Sequence, residues 1–349
     1  MATSVNKPVA LLKGHKDAIL SIDISDNFLN KGSFLATGSE DTTARIWDLK
    51  TNRVVWGFKG FEDAITSVKF ASNTCPYQFF VSSSNKVYGY DLRNTESPII
   101  TKSSVIYETN EEEINQIAIN EKSTLLATCD DNGEVKVTDI STQKPVKRFR
   151  QCHDNIAMSV SFRPKKPWEV FSGGLDSQLI QWDFSRGAPI QVFNMTEDVD
   201  QQQSNQLVNP PFVNSVTVSP DGKIVASALG DGTIQILAAG PKGKNRGKAS
   251  WNKGRLYGGH SYSVAQVKFN PAGDKLASAG NEGMITLWDT SNLVEKLTND
   301  TAEDLCPIIT QFQPEPFDKI NSLAFIDQLY VAGTGASPEA HGAIAIYNI

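Results

Sequence analysis

The sequence is poor in the residues that build reactive or covalently stapled sites: its 349 residues include only four cysteines, four histidines and four methionines. Cys75, Cys129, Cys152 and Cys306 stand far apart with no C-x-x-C pair, a pattern of reduced thiols and not of a disulfide framework or zinc site. The Asn-x-Thr sequons at Asn194 and Asn299 therefore carry no weight. No apolar run approaches the ~18 residues a spanning helix needs, and the opening MATSVNKPVALLKGHKD lacks the apolar stretch of a signal peptide. A chain working inside the cell, in cytoplasm, nucleus or both, and away from membranes is expected. Positive charge is not in excess: 33 Lys and Arg face 39 Asp and Glu, a net charge of −6, which argues against wholesale nucleic-acid binding. H-E-x-x-H and G-x-S-x-G are missing, and the lysine-rich GPKGKNRGK (240–248) lacks the G-x-x-x-x-G-K-[ST] of a P-loop. No enzyme activity, catalytic residue, metal or cofactor is expected.

What the chain does contain is repetition. FLATGSEDTTARIWD (34–48), LLATCDDNGEVKVTD (125–139), EVFSGGLDSQLIQWD (169–183), IVASALGDGTIQILA (224–238) and KLASAGNEGMITLWD (275–289) are one unit: apolar strand, small residues, polar turn, alternating strand. FFVSSSNKVYGYD (79–91) and LYVAGTGASPEAHGAIAIYN (329–348) are divergent copies, making seven. Each follows a further period-2 strand: ILSIDIS, ITSVKFA, INQIAIN, MSVSFRP, VNSVTVS, VAQVKFN and INSLAFI. The units end near Trp47, Tyr90, Thr138, Trp182, Leu237, Trp288 and Tyr347, spaced 43 to 59 residues apart, which fits four short strands each.

Gly14-His15 and Gly259-His260 upstream, with Trp47-Asp48, Trp182-Asp183 and Trp288-Asp289 closing, resemble the WD-repeat β-propeller family. The resemblance spans nearly the whole chain and implies an all-β fold, a single seven-bladed propeller over residues 1–349. The last unit lacks an outer strand, while Pro8 to Leu12 precede the first Gly-His without a unit of their own. The N-terminal strand is therefore expected to complete the last blade and close the ring. In the family, the recurring His joins a buried hydrogen-bond chain with a turn acid, a strand Ser or Thr and the Trp indole. By position this implies His15, Thr37, Asp41 and Trp47; His153, Ser172, Asp176 and Trp182; and His260, Ser278, Glu282 and Trp288. Three copies argue for strand-fixing networks and against nucleophilic catalysis. Units two, three, five and seven lack the full set, and His341 is read as a solvated loop residue.

Binding is expected on the loops. Residues 195–211 are polar and acidic-to-Gln, and 299–319 mix acids, prolines and apolar residues; both are expected on the face of the His-bearing turns. The stretch 240–255, with Lys242, Lys244, Arg246, Lys248, Lys253 and Arg255 around Trp251 and no acid, is expected on the opposite face. It is read as a solvated linker, with an anionic partner such as RNA as the lesser reading. NEEEINQIAIN, HDNIAMSVSFRPKKP and QLVNPPFVNSVTV resemble one narrow subfamily of WD-repeat proteins. That resemblance implies a substrate receptor of a cullin-4 RING ubiquitin ligase, docked on the ligase adaptor by Trp-Asp-x-Arg at a blade end. Tyr90-Asp91-Leu92-Arg93 keeps the Asp and Arg and replaces the Trp, so Asp91 and Arg93 are the candidate contacts. The alternative is a structural or assembly scaffold in a larger complex without a ligase connection. Either way the expected partners are proteins.

Overall fold

The computed structural model describes residues 7–72, 74–93, 95, 97–149, 152–197, 209–240, 250–299, 305–335, 337 and 340–349. Alternating strands with one apolar face cannot bury that face alone, so the seven units stack as antiparallel sheets, the blades of a β-propeller. The inner strands, in chain order, are Ile19–Ser25, Ile65–Phe70, Ile114–Ile119, Ala157–Phe162, Val213–Val218, Val264–Phe269 and Lys319–Phe325. The small residues of the second strands serve blade-on-blade packing. A Cβ added at Gly38 would collide with Ile65 of the next blade, and one at Gly173 with Val213. Apolar clusters accordingly fill the spaces between adjacent blades: Ile46, Phe58, Val68 and Phe79 in one, Ile180, Trp182, Ala127 and Val160 in another.

Every inner strand slips register against its second strand at the same place, between Ile19 and Ser21, Ile65 and Ser67, Ile114 and Gln116, Ala157 and Ser159, Val213 and Ser215, Val264 and Gln266, and Ile320 and Ser322. Each inner strand is also the edge of its sheet, so its axis-facing amides have no ladder partner and must find another acceptor. Here the acceptor comes from the preceding blade. Ser21 Oγ accepts from the Val68 amide at 3.1 Å, Ser67 Oγ from Ile117 at 3.2 Å, Gln116 Oε1 from Val160 at 2.9 Å and Ser159 Oγ from Val216 at 2.9 Å. Gln266 Oε1 accepts from Leu323 at 3.0 Å, and Ser322 Oγ from Ile22 at 3.1 Å across the ring closure. Where blades five and six meet, Asn214 Nδ2 donates to the Val264 carbonyl at 2.9 Å. Asn115 and Asn321, also in the skipped position, donate in the same way to Ala157 and Ile19.

The ring closes as the sequence implied. Ala10–Lys13 pairs antiparallel with Ala343–Asn348 as the outer strand of blade seven, with Leu12 buried. Two features depart from the expectations. Blade one has a fifth strand, Ile99–Ile100, lying parallel to its outer strand Arg53–Phe58, because the short outer strand of blade two starts only at Val105. The stretch 299–319 does not open as one loop beside the His turns. Ile308–Phe312 is the outer strand of blade six, so 290–307 connects third to outer strand at the opposite face. This connection includes the helix Leu293–Asn299, and Leu297 and Leu305 close over Gly254 of blade five. The apolar residues Leu293, Leu297 and Leu305 explain the difference: they bury against blades five and six.

Deleting residues 1–13 strips a paired outer strand and uncovers the blade-seven edge. The expected loss is on the order of 3 kcal/mol or more, read as a lowered denaturant midpoint; an unchanged midpoint would remove the N-terminal strand from the closure.

Candidate functional site

Three blades carry the same four-residue chain. In blade four, Trp182 Nε1 lies 2.8 Å from Ser172 Oγ, which lies 2.7 Å from His153 Nε2, while His153 Nδ1 is 2.9 Å from Asp176. Blade one repeats it with Trp47 and Thr37 at 3.1 Å, Thr37 and His15 at 2.7 Å, and His15 and Asp41 at 3.0 Å. Blade six repeats it with Trp288, Ser278, His260 and Glu282 at 2.9, 2.7 and 2.9 Å. An indole can only donate, so the hydroxyl accepts from Trp and donates its own proton to Nε2. The imidazole is then the Nδ1–H tautomer, donating to the carboxylate. Each linking atom of the three chains is partnered, while the second carboxylate oxygen of blade six, Glu282 Oε2, is buried without a partner among the described residues.

The order of groups matches a Ser-His-Asp triad, and access separates the two. Thr37, Ser172 and Ser278 are fully buried, and each hydroxyl oxygen already takes an indole proton, so no carbonyl can approach. Burial opposes the charge on Asp41, but hydrogen bonds from His15, Thr43 and the Lys16 amide outweigh it and hold the carboxyl well below the usual carboxylate range. Asp176 is likewise held down by His153 against its burial. Burial lowers the His15 pKa more than Asp41 raises it.

The other blades show what happens when the set is incomplete. Ser227, in the place of Ser172 and Ser278, has neither His nor Trp beside it, and its buried hydroxyl has no partner among the described residues. Blade five instead buries an ion pair, Arg255 Nη2 to Asp231 at 2.8 Å, with Thr233 Oγ1 accepting from Arg255 Nε. Blade three substitutes Asn110, which donates to Asp130 at 2.7 Å and accepts from Thr128.

The basic stretch is thereby divided. Lys242, Lys244, Arg246 and Lys248 lie outside the described residues, while Trp251, Lys253 and Arg255 belong to the outer strand Trp251–Leu256. Arg255 is spent on Asp231, and Trp251 donates to Gln181 Oε1 at 3.0 Å with the Arg163 guanidinium over its ring. Neither forms an open stacking surface for an anionic partner, because blade packing has taken both. Only Lys253 of the three is exposed.

Asp91 and Arg93 do come together. Arg93 lies just past the third strand of blade two, forks onto Asp91 with Nε at 3.0 Å from Oδ1 and Nη2 at 2.5 Å from Oδ2, and stacks 4.0 Å over the Tyr77 ring. Its side chain remains 56% exposed. The guanidinium is thus presented in a fixed orientation on the face opposite the His turns.

One site escaped the sequence reading. The inner strands surround an axial cavity of about 490 Å3, lined by residues such as Lys69, Gln116, Thr217, Gln266 and Lys268 and opening among the loops at 120–122 and 163–167. Lys69 pairs with Asp23 at 2.8 Å. The charge of Lys69, with burial, holds the Lys268 ammonium down at about 8, against the pull of Asp23. The signal was present in the shared Val-Lys-Phe of ITSVKFA and VAQVKFN, where an inner strand carries a lysine at the same register.

The WD domain, G-beta repeat model matches residues 6–48, 143–183, 204–236 and 251–289. The chain is 33% identical to WD repeat-containing protein 53 homolog of Dictyostelium discoideum over 302 residues, covering 80% of this chain and 77% of that protein. It is 26% identical to human Protein NEDD1, covering 65% of this chain and 31% of NEDD1. It is 22% identical to human Kinesin-like protein KIF21A, covering 84% of this chain and 20% of the kinesin. The chain thus spans most of the first relative and a minor part of the other two. Among the described residues, no helix is long and apolar enough to cross a membrane, and no three His, Cys, Asp or Glu side chains cluster as metal ligands.

Two outcomes are expected. His153→Ala leaves the Asp176 carboxylate with only the Asp154 and Gln178 amides and the Ser172 hydroxyl with only the Trp182 indole and costs about 3 kcal/mol, whereas Trp182→Phe removes one donor from a packed ring and costs about 1–2 kcal/mol; urea unfolding of both variants checks the ranking. Stability also falls with acid in two stages. The depressed His15 pKa contributes stability above 6.5 that is lost as pH falls below that value. The depressed Asp41 and Asp176 contribute stability above 3.8 that is lost as pH falls through their folded values. Urea midpoints across this range test the profile, and Asp41→Asn flattens its acid limb.

Proposed function

The chain belongs to the WD-repeat β-propeller family, and from that membership we propose that it is a non-catalytic interaction platform serving as a substrate receptor of a cullin-4 RING ubiquitin ligase. The observation that carries the proposal is the posture of Arg93. Trp-Asp-x-Arg docking needs the planar fork of arginine at the end of a blade. Tyr90-Asp91-Leu92-Arg93 places that fork on the surface, oriented by Asp91 and Tyr77 and still open to a partner. Tyr90 fills the Trp place from inside, buried against Phe58. The neighbouring blade ends suit the role less well. Blade one offers Lys50, a point charge without the fork, and in blade four Arg186 comes one residue later, paired to Asp183. The non-catalytic reading rests on the buried, doubly engaged hydroxyls of the three histidine chains.

A second reading is supported by the relatives themselves. The match to this chain covers only 31% of NEDD1 and 20% of the kinesin-like protein, so both relatives extend well beyond the shared repeats, which favours a structural scaffold within a larger assembly. The two readings part at one residue. Quantitative affinity purification of wild type and Arg93→Ala, both checked for equal thermal stability, is expected to lose the ligase adaptor at least about tenfold in the variant. An unchanged partner set with no adaptor in either sample would overturn the receptor reading and leave the scaffold.

A further inference from the structure

The charge around the axial cavity is opposite to that of the chain. The protein carries −6 overall, yet the charged residues lining the cavity and its mouth are Lys69, Lys122, Arg163, Lys165, Lys166 and Lys268 against Glu121 alone. Two of the six are already committed: Lys69 to Asp23, and Arg163 to Glu169 at 2.7 Å. Among the described residues, Lys122, Lys165, Lys166 and Lys268 have no ion-pair partner. Three of these are exposed at the mouth, while Lys268 is half-buried and lines the same channel as Lys69, whose charge disfavours its own against the pull of Asp23. Beside Lys165, Lys166 and Pro167 stands Trp168, 51% exposed, with one edge of its ring against Phe184. Trp168 follows directly on the last lining residue of that loop, Pro167, so its exposed indole offers an apolar anchor one residue beyond the basic mouth.

We propose that this mouth binds an acidic peptide segment of a protein partner, with a carboxylate entering the channel toward Lys268, further carboxylates meeting Lys122, Lys165 and Lys166, and an apolar side chain resting on Trp168. The proposal rests on the interaction-platform reading and does not depend on Arg93. A cavity of about 490 Å3 is of the size that encloses small ligands or a few side chains. A compact inorganic anion would use the lysines alone, whereas Trp168 adds a contact that only a ligand with an apolar side chain can use. Positive charge concentrated in a low-dielectric opening also speeds the encounter with an acidic chain.

The test is fluorescence anisotropy of a labelled short peptide of Asp and Glu around one Phe, with a Gln/Asn version of the same peptide and inorganic tripolyphosphate as competitors. Saturable binding of the acidic peptide is expected, weakened at least about tenfold by Lys268→Gln and by the exposed pair Lys165→Gln/Lys166→Gln. It is also expected to weaken in Trp168→Ala and to be unchanged in Lys144→Gln on the far edge of blade three and in Arg93→Ala. Thermal melts accompany each variant, and the exposed lysine pair keeps the test decisive if Lys268→Gln fails to fold. No saturable binding, an equal loss in Lys144→Gln, or competition by the neutral peptide would overturn the proposal. Binding that tripolyphosphate displaces fully and that ignores Trp168→Ala would overturn it in favour of a small-anion site. Failure here with adaptor loss in Arg93→Ala would leave the receptor reading standing, and the reverse result would leave this site standing without the ligase.

Discussion

The ring depends on one side-chain stitch repeated from blade to blade around the axis. Each inner strand is the edge of its sheet, and at six of the seven junctions one of its amides is accepted by a Ser or Gln side chain from the blade before it. Without that stitch, the axis-facing amides of the inner strands would go unmet, and the sheets would be joined only by apolar packing, which is indifferent to small rotations. With it, adjacent blades are tied at a fixed height around the axis by directional bonds whose partners are buried and costly to leave unmade. The outer closure by Ala10–Lys13 then seals a ring already fixed from within.

The histidine chains act on a different axis, within a blade. Trp, Ser or Thr, His and an acid tie together the second strand, the third strand, the entering turn and the turn between strands. The proton inventory is that of a hydrolytic triad, and what differs is that the hydroxyl oxygen is already saturated and sealed. Chemistry legible in residue types is therefore insufficient to assign activity: the decisive variable is an approach path for substrate, which burial removes here.

This division explains what the sequence disclosed. Periodicity and recurrence sufficed for the blades, the closure of the ring and the grouping of His15, Thr37, Asp41 and Trp47, because each depends on local pattern at fixed offsets. The fate of Trp251 and Arg255 was not legible, because a basic, Gly-rich stretch reads as a free loop until Asp231, Gln181 and Arg163 from other strands take hold of it. The stretch 299–319 misled for a related reason: the helix Leu293–Asn299 before it is too short to announce itself by periodicity, yet Leu297 of that helix and Leu305 of the stretch find an apolar seat over Gly254. The channel lysines were visible as letters in ITSVKFA and VAQVKFN. Their meaning was not, since residues 69 and 268 face each other only after the ring has brought the second and sixth blades around a common axis.

A rigid ring also determines where function can reside. Strand residues of the propeller are bound twice, by the ladder of their own blade and by the stitch to the next, so altering them for a partner disturbs both. Two kinds of position escape this constraint: the residues just beyond strand ends, such as Arg93, Lys166 and Trp168, and the side chains that point into the axis, such as Lys268, where seven strands converge but no blade packs. Lys268 is the more informative of the two. A lysine whose ammonium is disfavoured by a neighbouring lysine and by burial lowers the stability of the empty ring. An anion that enters the channel relieves this repulsion, so part of its binding free energy comes from the ring's own electrostatics and the folded protein is stabilised in proportion to occupancy. The axis is thus a place in the fold where local charge runs against stability and favours an anionic ligand.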